Sequence, residues 1–307
     1  MSPGVVFGIG TVVVDHLLVL PQLPAPDAKV EALADRLQVG GPVPTALAQV
    51  RRLGRRCGFA GAWGDDPYGA MVAQELADQE IDCTSARAVA GSPTGLAQVW
   101  VCRASGERSI AYRRMDPASL PFDAPVSAAL ARARALHLDG WPPATALAAA
   151  RRARELGVLV SLDVGNPKPG FAELVEHVDV VNCPRRHLSA LTGERAPLDG
   201  IAALRARGVQ TVTLTDGAHG ALLATQTTAV EQAAFPVTVA DSTGAGDTFC
   251  GALLHALLAG WDPAVTLAFA QAAAALACTA VGNRVGLADG VTIDTFLCEH
   301  GAPRPGA

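Results

Sequence analysis

The sequence predicts an α/β protein: a doubly wound, mainly parallel sheet with helices on both faces and a small β-sheet lid beside it. Three observations carry this expectation. Segments of strand length with little charge recur along the first two-thirds of the chain, Ala/Leu/Arg-rich segments of helical length alternate with them, and two extended pairs interrupt the alternation. With 307 residues, half of them hydrophobic and 17% charged, the chain has material for one large buried core.

Strands are expected at Val5–Gly8, Cys57–Gly61, Ala135–Asp139, Val158–Asp163, Val178–Asn182 and Val209–Thr215, because β-branched and apolar residues run nearly unbroken there. Helices are expected between them at Thr45–Leu53, Tyr68–Gln79, Pro143–Leu156 and Leu198–Arg207. Such alternation buries the sheet on both faces and leaves a ligand crevice at the carboxyl ends of the strands. Thr11–Leu20 with Val30–Val39, and Gly95–Arg103 with Arg108–Arg114, read as the lid, the second pair joined by the turn "ASGE" at 104–107. The lid segments thus span about 11–39 and 95–114 of a single 1–307 domain. Beyond about Ser242 the pattern turns helical, with Phe249–Ala259 and Pro263–Cys278, and the final "EHGAPRPGA" is expected to fray.

The composition excludes several classes of function. A net charge of −5 with no Lys/Arg run longer than two argues against a nucleic-acid or polybasic membrane partner. Seven cysteines without a C-x-x-C pair point to reduced thiols and not to a zinc site. "MSPGVVFGIG" lacks the basic start of a signal peptide and no segment reads as a membrane span, so the cytoplasm is the expected location. Small molecules are the expected partners.

The most informative stretch is "DSTGAGDTF", residues 241–249. Upstream, "AAFPVTVA" reads as a β-branched strand; downstream, "TFCGALLHALLAG" has helical length and stops at Gly260. A helix start leaves N–H groups without internal partners and its dipole favours negative charge. The amides of Gly244, Ala245 and Gly246 are therefore a candidate anion hole, and Asp247 a candidate base aimed at the same point. Asp241 either fixes the loop or helps hold a cation. A glycine turn before Asp-Thr is also a common helix cap with nothing bound. A second candidate lies at Gly40-Gly41, ahead of Pro42 in a helix's first turn, where the glycines either punctuate the helix or expose N–H groups to a hydroxylated ligand.

"DSTGAGDTFCGALL" resembles the C-terminal signature of the ribokinase-like (PfkB) carbohydrate kinases, D-T-x-G-A-G-D, with Ser242 the one departure. Further resemblances follow in the family's order: "GIGTVVVDHLLVLPQLP", "VGGPVPTALAQVRRLG", "GAWGDDPYGAMVAQELADQEID", "LTDGAHGALLAT" and "AAAALACTAVGNRVGLAD". The resemblance implies transfer of the ATP γ-phosphoryl group to a primary hydroxyl, with Mg2+, stimulation by K+ and a homodimer formed through the lid. It implies that Asp247 is the base, that Gly244, Ala245 and Gly246 form the anion hole, and that Asp15, Gly40, Gly41 and Thr45 hold sugar hydroxyls. Thr215, Gly217 and Gly220 would lie along the nucleotide, Gly282 and Asn283 near adenine and a monovalent cation, and Asp241 in the cation loop.

Departures from the family pattern bear on the substrate. Thr45 stands where G-G-x-x-x-N has Asn, keeping a hydroxyl of shorter reach. The tract "VVNCPRRHLSALTG" lacks the acid of N-x-x-E, with Arg185, Arg186 and His187 in the region and Asn182 retained as a nucleotide candidate. In the lid, Arg113 and Arg114 are adjacent, so only one faces a bound sugar; with Tyr112 and Lys29 they suit an acceptor bearing an anion. Expected is an ATP-dependent kinase of a sugar or sugar acid. The alternatives are a nucleoside kinase of the same fold and a non-catalytic sugar or nucleotide sensor.

Overall fold

The computed structural model describes residues 5–104 and 108–306. The expected turn at 104–107 therefore lies, apart from Ala104, outside the described residues, as do the first four residues of the N-terminal run and Ala307. In chain order the first elements are β1 (Val5–Ile9), β2 (Val13–Leu20), β3 (Ala34–Gly40), α1 (Pro42–Arg52), β4 (Cys57–Ala60), β5 (Ala62–Gly64), α2 (Pro67–Asp78), β6 (Ile81–Asp82), β7 (Arg87–Val89), β8 (Leu96–Cys102) and β9 (Arg108–Arg113). There follow α3 (Ala124–Leu130), β10 (Ala133–Leu138), α4 (Pro143–Glu155), β11 (Leu159–Asp163), α5 (Phe171–Val175), β12 (Val180–Pro184), α6 (Leu188–Thr192) and α7 (Pro197–Ala206). The last are β13 (Thr211–Thr215), β14 (Ala221–Ala224), β15 (Ala229–Gln232), α8 (Ala245–Ala259), α9 (Pro263–Ala277) and α10 (Gly290–Glu299).

A central sheet of nine strands runs in the order β15-β14-β13-β12-β11-β10-β1-β4-β6. Only the β13–β14 and β14–β15 pairings are antiparallel; the other neighbours pair parallel, each βαβ crossover laying a helix on a face. Alternate residues face opposite sides of a strand. On β10, Leu136 and Leu138 join the core under α4 to α7, whereas Ala135 joins the core of α1 and α2. α8 and α9 bury Phe249, Leu253, Leu267 and Phe269 against Val180 and Leu223 on that second face.

The lid is a separate four-stranded sheet, β3-β2-β8-β9. It grows out of the core, since β2 follows β1 after three residues and β3 leads into α1 across Gly41. Val13, Leu17, Ala97 and Val99 form its small apolar cluster.

One element is corrected. The run at 233–240, expected as a strand, is irregular: Pro236 has no N–H to give a ladder and only Phe235 is buried. Ala240 N–H instead donates to Cys278 O, which ties the run to the end of α9. The corner at 241–247 is thus coil to helix. The C-terminal tail forms no element, but Ala302 N–H donates to Leu297 O and pins its start.

Candidate active site

The loop at 241–247 is built by Asp241. Its Oδ1 accepts from Thr243 N–H (2.8 Å) and Thr243 Oγ1 (2.7 Å), and its Oδ2 accepts from Gly282 N–H (2.9 Å). Both oxygens accept from protein donors, so Asp241, read from sequence as either a loop brace or a candidate metal residue, braces the loop, with Oδ2 accepting only the one bond. Gly244 then takes φ 78°, a left-handed conformation suited to glycine, and caps α8. A Cβ on Gly244 would lie 2.7 Å from Asn283 Cβ and 3.3 Å from Thr45 Cγ2, so this cap packs directly on two other candidate residues.

Of the three amides in the expected anion hole, Ala245 N–H is taken by Ser242 O (3.3 Å). The N–H groups of Gly244, Gly246 and Asp247 have no partner among the described residues. They open the fifteen-residue helix α8, where orphan donors and the dipole favour an anion. Asp247 is the third residue of α8 and not its cap, and its half-buried carboxylate accepts no hydrogen bond from a described residue. Burial, and then the charge of Asp163, lift it to about 7, while Arg108 and Arg284 pull the other way. Asp163, at the end of β11, is itself raised to about 6 by burial, against the pull of Lys168.

The expected acceptor side lies where the lid meets the core. Asp15 on β2 is buried, and its carboxylate lies so close over Gly40 that any Cβ there would overlap it. Gly41, at φ 106°, brings the chain against Thr11 O, where a Cβ would also collide. Gly40 is thus required by the Asp15 side chain and Gly41 by close backbone approach, and together they mark the start of α1. Burial raises Asp15 to about 6, opposed first by Arg284 and then by the Gln38 amide. Thr45 Oγ1 donates to Gly41 O (2.9 Å) and accepts from Arg284 Nη1 (2.9 Å), which uses its hydroxyl inside the protein. Asn283 is buried, its Nδ2 donating to Val39 O (3.1 Å) and its N–H to Gln38 Oε1 (3.3 Å). Gly282 is packed against the Gln38 side chain.

The lid arginines divide differently from the sequence reading. Arg113 donates to Pro93 O (3.2 Å) and Thr94 O (2.9 Å) and is thereby committed to a neighbouring loop. Arg114 lies over the rings of Tyr112 (4.7 Å) and Trp141 (5.0 Å) and lines a small cavity of about 20 Å³ with Gly10 and Thr11. Lys29 is exposed on the β2–β3 connection and makes no polar contact with a described residue. The lid residue that reaches the loop is Arg108, at the start of β9, whose Nη1 lies 3.5 Å from Thr243 Oγ1.

On the expected nucleotide side, Thr215 ends β13, and the turn to β14 places Gly217 at φ 54° and Gly220 at φ 100°. A Cβ on Gly220 would strike Gln232 O, so that glycine also serves the sheet edge. Asn182 is 2% exposed; it accepts from Thr213 Oγ1 (2.7 Å) and donates to Ser161 Oγ (3.2 Å), a network between strands that leaves no surface for a nucleotide. Arg185, in the tract lacking an acid, pairs with Asp216 at 3.4 Å.

Sequence reasoning missed Arg284, Glu75 and Arg108. Arg284 directly follows Asn283, and Glu75 sits beside Leu76 and three residues after Val72 on α2's buried face. A charged residue on an apolar face was the available signal for Glu75.

Orphan amides and a raised carboxylate beside a lid sheet suit a phosphotransferase acting on an alcohol group. The chain belongs to the pfkB family of carbohydrate kinases, whose family model matches residues 6–289. It is 32% identical over 284 residues to aminoimidazole riboside kinase of Salmonella typhimurium, covering 85% of this chain and 88% of that one. It is 31% identical to fructokinase of Klebsiella pneumoniae, covering 85% of this chain and 94% of that one. The solved structure of Arabidopsis thaliana ribokinase complexed with ribose and ATP is 27% identical and superposes with a TM-score of 0.86, covering 97% of this chain and 99% of that one. It is therefore a ribokinase-fold, ATP-binding kinase of sugars or nucleosides. Among the described residues no helix is long and apolar enough to cross a membrane.

Proposed function

We propose that the chain transfers the γ-phosphoryl group of ATP to a primary hydroxyl of a sugar or sugar acid. Asp15 and the Gly40-Gly41 corner hold the acceptor, and Asp247 takes the proton of the attacking hydroxyl. The free N–H groups of Gly244, Gly246 and Asp247 steady the oxygens of the moving phosphoryl group. The observation that carries this reading is the Gly244 cap, which brings orphan amides and the Asp247 carboxylate together in one helix's first turn. A base lifted to about 7 is suited to proton transfer near neutral pH.

Among the described residues no group of three His, Cys, Asp or Glu side chains is arranged to hold a metal ion. That fits magnesium arriving on ATP, held by phosphates and waters, where it would neutralise phosphate charge. Asp163, buried beside Asp247 in its electrostatic field, is the carboxylate best suited to meet one of those waters. The reading includes a lid-to-lid dimer, for which β9 offers an edge exposed along its length.

A riboside acceptor is the second reading, favoured by the Tyr112–Arg114–Trp141 stack, whose flat faces suit a base. A coupled ADP-release assay with fructose, ribose, sugar acids and nucleosides separates the two. Turnover with a sugar is expected; turnover with nucleosides alone would replace the first reading by the second.

A further inference from the structure

Arg284 occupies the junction of α1, α2 and β3. Its Nη1 donates to Thr45 Oγ1 of α1 (2.9 Å) and to Asn283 O (3.2 Å), and its Nε lies 2.9 Å from Glu75 Oε1 of α2. Glu75 is held in turn, its other oxygen accepting from Val39 N–H at the end of β3 (3.2 Å). Nη1 anchors the guanidinium; the buried Nε has the Glu75 ion pair but no hydrogen bond, and the buried Nη2 has neither among the described residues. A buried guanidinium N–H without an acceptor is costly, and the planar fork is held rigidly enough to present that N–H in one direction.

The groups in the field of Arg284 are those placed around the acceptor. Asp15 of β2 and Asp247 of α8 both feel its charge, together with Glu75, and Arg108 of β9 acts on the same two aspartates. Thr45, by contrast, has given its proton to Gly41 O and accepts from Arg284. The hydroxyl expected to touch the sugar is occupied, and the residue it supports is the one with a free donor.

We propose that Arg284 is a specificity-determining residue: its free Nη2 donates to an oxygen of the acceptor held by Asp15 and presented to Asp247, so that acceptor recognition runs through Arg284 and not through Thr45. This rests on the kinase reading above. An acceptor that places a hydroxyl or carboxylate oxygen at that point satisfies the buried donor, whereas one lacking it leaves the donor unmet.

The test is steady-state kinetics of wild type, Arg284→Met and Arg284→Lys with fructose and with ribose, varying acceptor and ATP separately from pH 5.5 to 9. Melting temperatures are taken with each sugar and with ATP. Loss of one charge-assisted hydrogen bond predicts an acceptor KM raised on the order of 10- to 100-fold in Arg284→Met, with the KM for ATP changed by less than about twofold. Removal of the cation also moves the acid limb of kcat/KM to higher pH in Arg284→Met, whereas Arg284→Lys keeps the limb and raises only the acceptor KM. The sugar-induced melting shift is lost in Arg284→Met and the ATP-induced shift retained. If Arg284→Met does not fold, Arg284→Lys alone decides through its acceptor KM. Unchanged acceptor KM in a folded variant, or equal losses toward acceptor and ATP, would make Arg284 a strut between α1 and α2 and overturn the proposal. Wild type without ADP release on either sugar would instead sink the kinase reading, and this inference with it.

Discussion

Replacing Asp247 by Asn tests the assigned base and the cost of keeping it. The variant removes the proton acceptor while preserving shape and the α8 amides, so turnover should fall about 10²- to 10⁴-fold, or ~3–5 kcal/mol of barrier. ATP binding should be retained. The same substitution should raise thermal stability at alkaline pH. A carboxyl lifted in the folded state from 3.8 to about 7 binds its proton more tightly folded than unfolded. Its contribution is therefore most favourable below about pH 4, and it shrinks as pH climbs toward 7, where the folded protein must give up the proton. Three pH units correspond to ~4 kcal/mol, and water reaching a half-buried group screens this to ~1–2 kcal/mol, or ~2–4 °C in Tm. Asn carries no charge, so Asp247→Asn should melt a few degrees above wild type at pH 8, with the gap closing toward pH 5. The coupled ADP-release assay measures the first effect and a pH series of melting curves the second. Turnover above a tenth of wild type would remove Asp247 as the base. A variant melting below wild type at pH 8 would show that the carboxylate holds the loop together, contrary to the finding that it accepts no hydrogen bond from a described residue.

The two glycine corners make separable predictions. Gly40→Ala puts a methyl group into the Asp15 carboxylate and should turn it away, raising the acceptor KM about tenfold or more with the ATP KM unchanged; equal changes in both would mean that this corner does not serve the acceptor. Gly244→Ala forces an alanine to φ 78° with its Cβ 2.7 Å from Asn283 Cβ, at ~1–2 kcal/mol for the backbone and more for the clash. Its Tm should drop by several degrees and its kcat at least tenfold, and an unaffected kcat would show that the anion hole tolerates a shifted cap.

The frame was legible because its signals are local. The six strands expected from low charge and the helices between them appear within a few residues, since a strand buried on both faces has to be apolar throughout. The lid, too, was visible as two extended pairs. The run at 233–240 was misread because Val237, Thr238 and Val239 carry strand propensity, and propensity is silent on whether a partner strand exists. At the site, the motif pointed to Asp247, Asp15 and the glycines as candidates. It did not give Arg284, because an arginine in "GNRVG" looks like a loop charge until the fold brings Glu75 and Thr45 beside it from over 200 residues away. Lys29 and Arg113 failed for the converse reason: position in a lid segment does not fix where a long side chain finds its acceptors.

On the proposed mechanism, the junction around Gly244 joins the two halves of the reaction. Gly244 packs on Thr45 and Asn283; Thr45 and Asn283 O accept from Arg284; and Asn283 N–H meets Gln38, the cross-strand neighbour of Asp15. A sugar bound as proposed to Asp15 or Arg284 would therefore act on residues that contact the cap of the amides proposed to bind the phosphoryl group. Asp15 and Gln38 are lid residues, so the acceptor also fixes the lid's base against the core, while Arg108 reaches from the lid's far strand toward Thr243. Water is a competing acceptor for the phosphoryl group, and its exclusion requires a closed lid. In this geometry the bound sugar, lid closure and correctly set amides arise from the same contacts, which gives a physical reason for ATP to be held intact until an acceptor is in place.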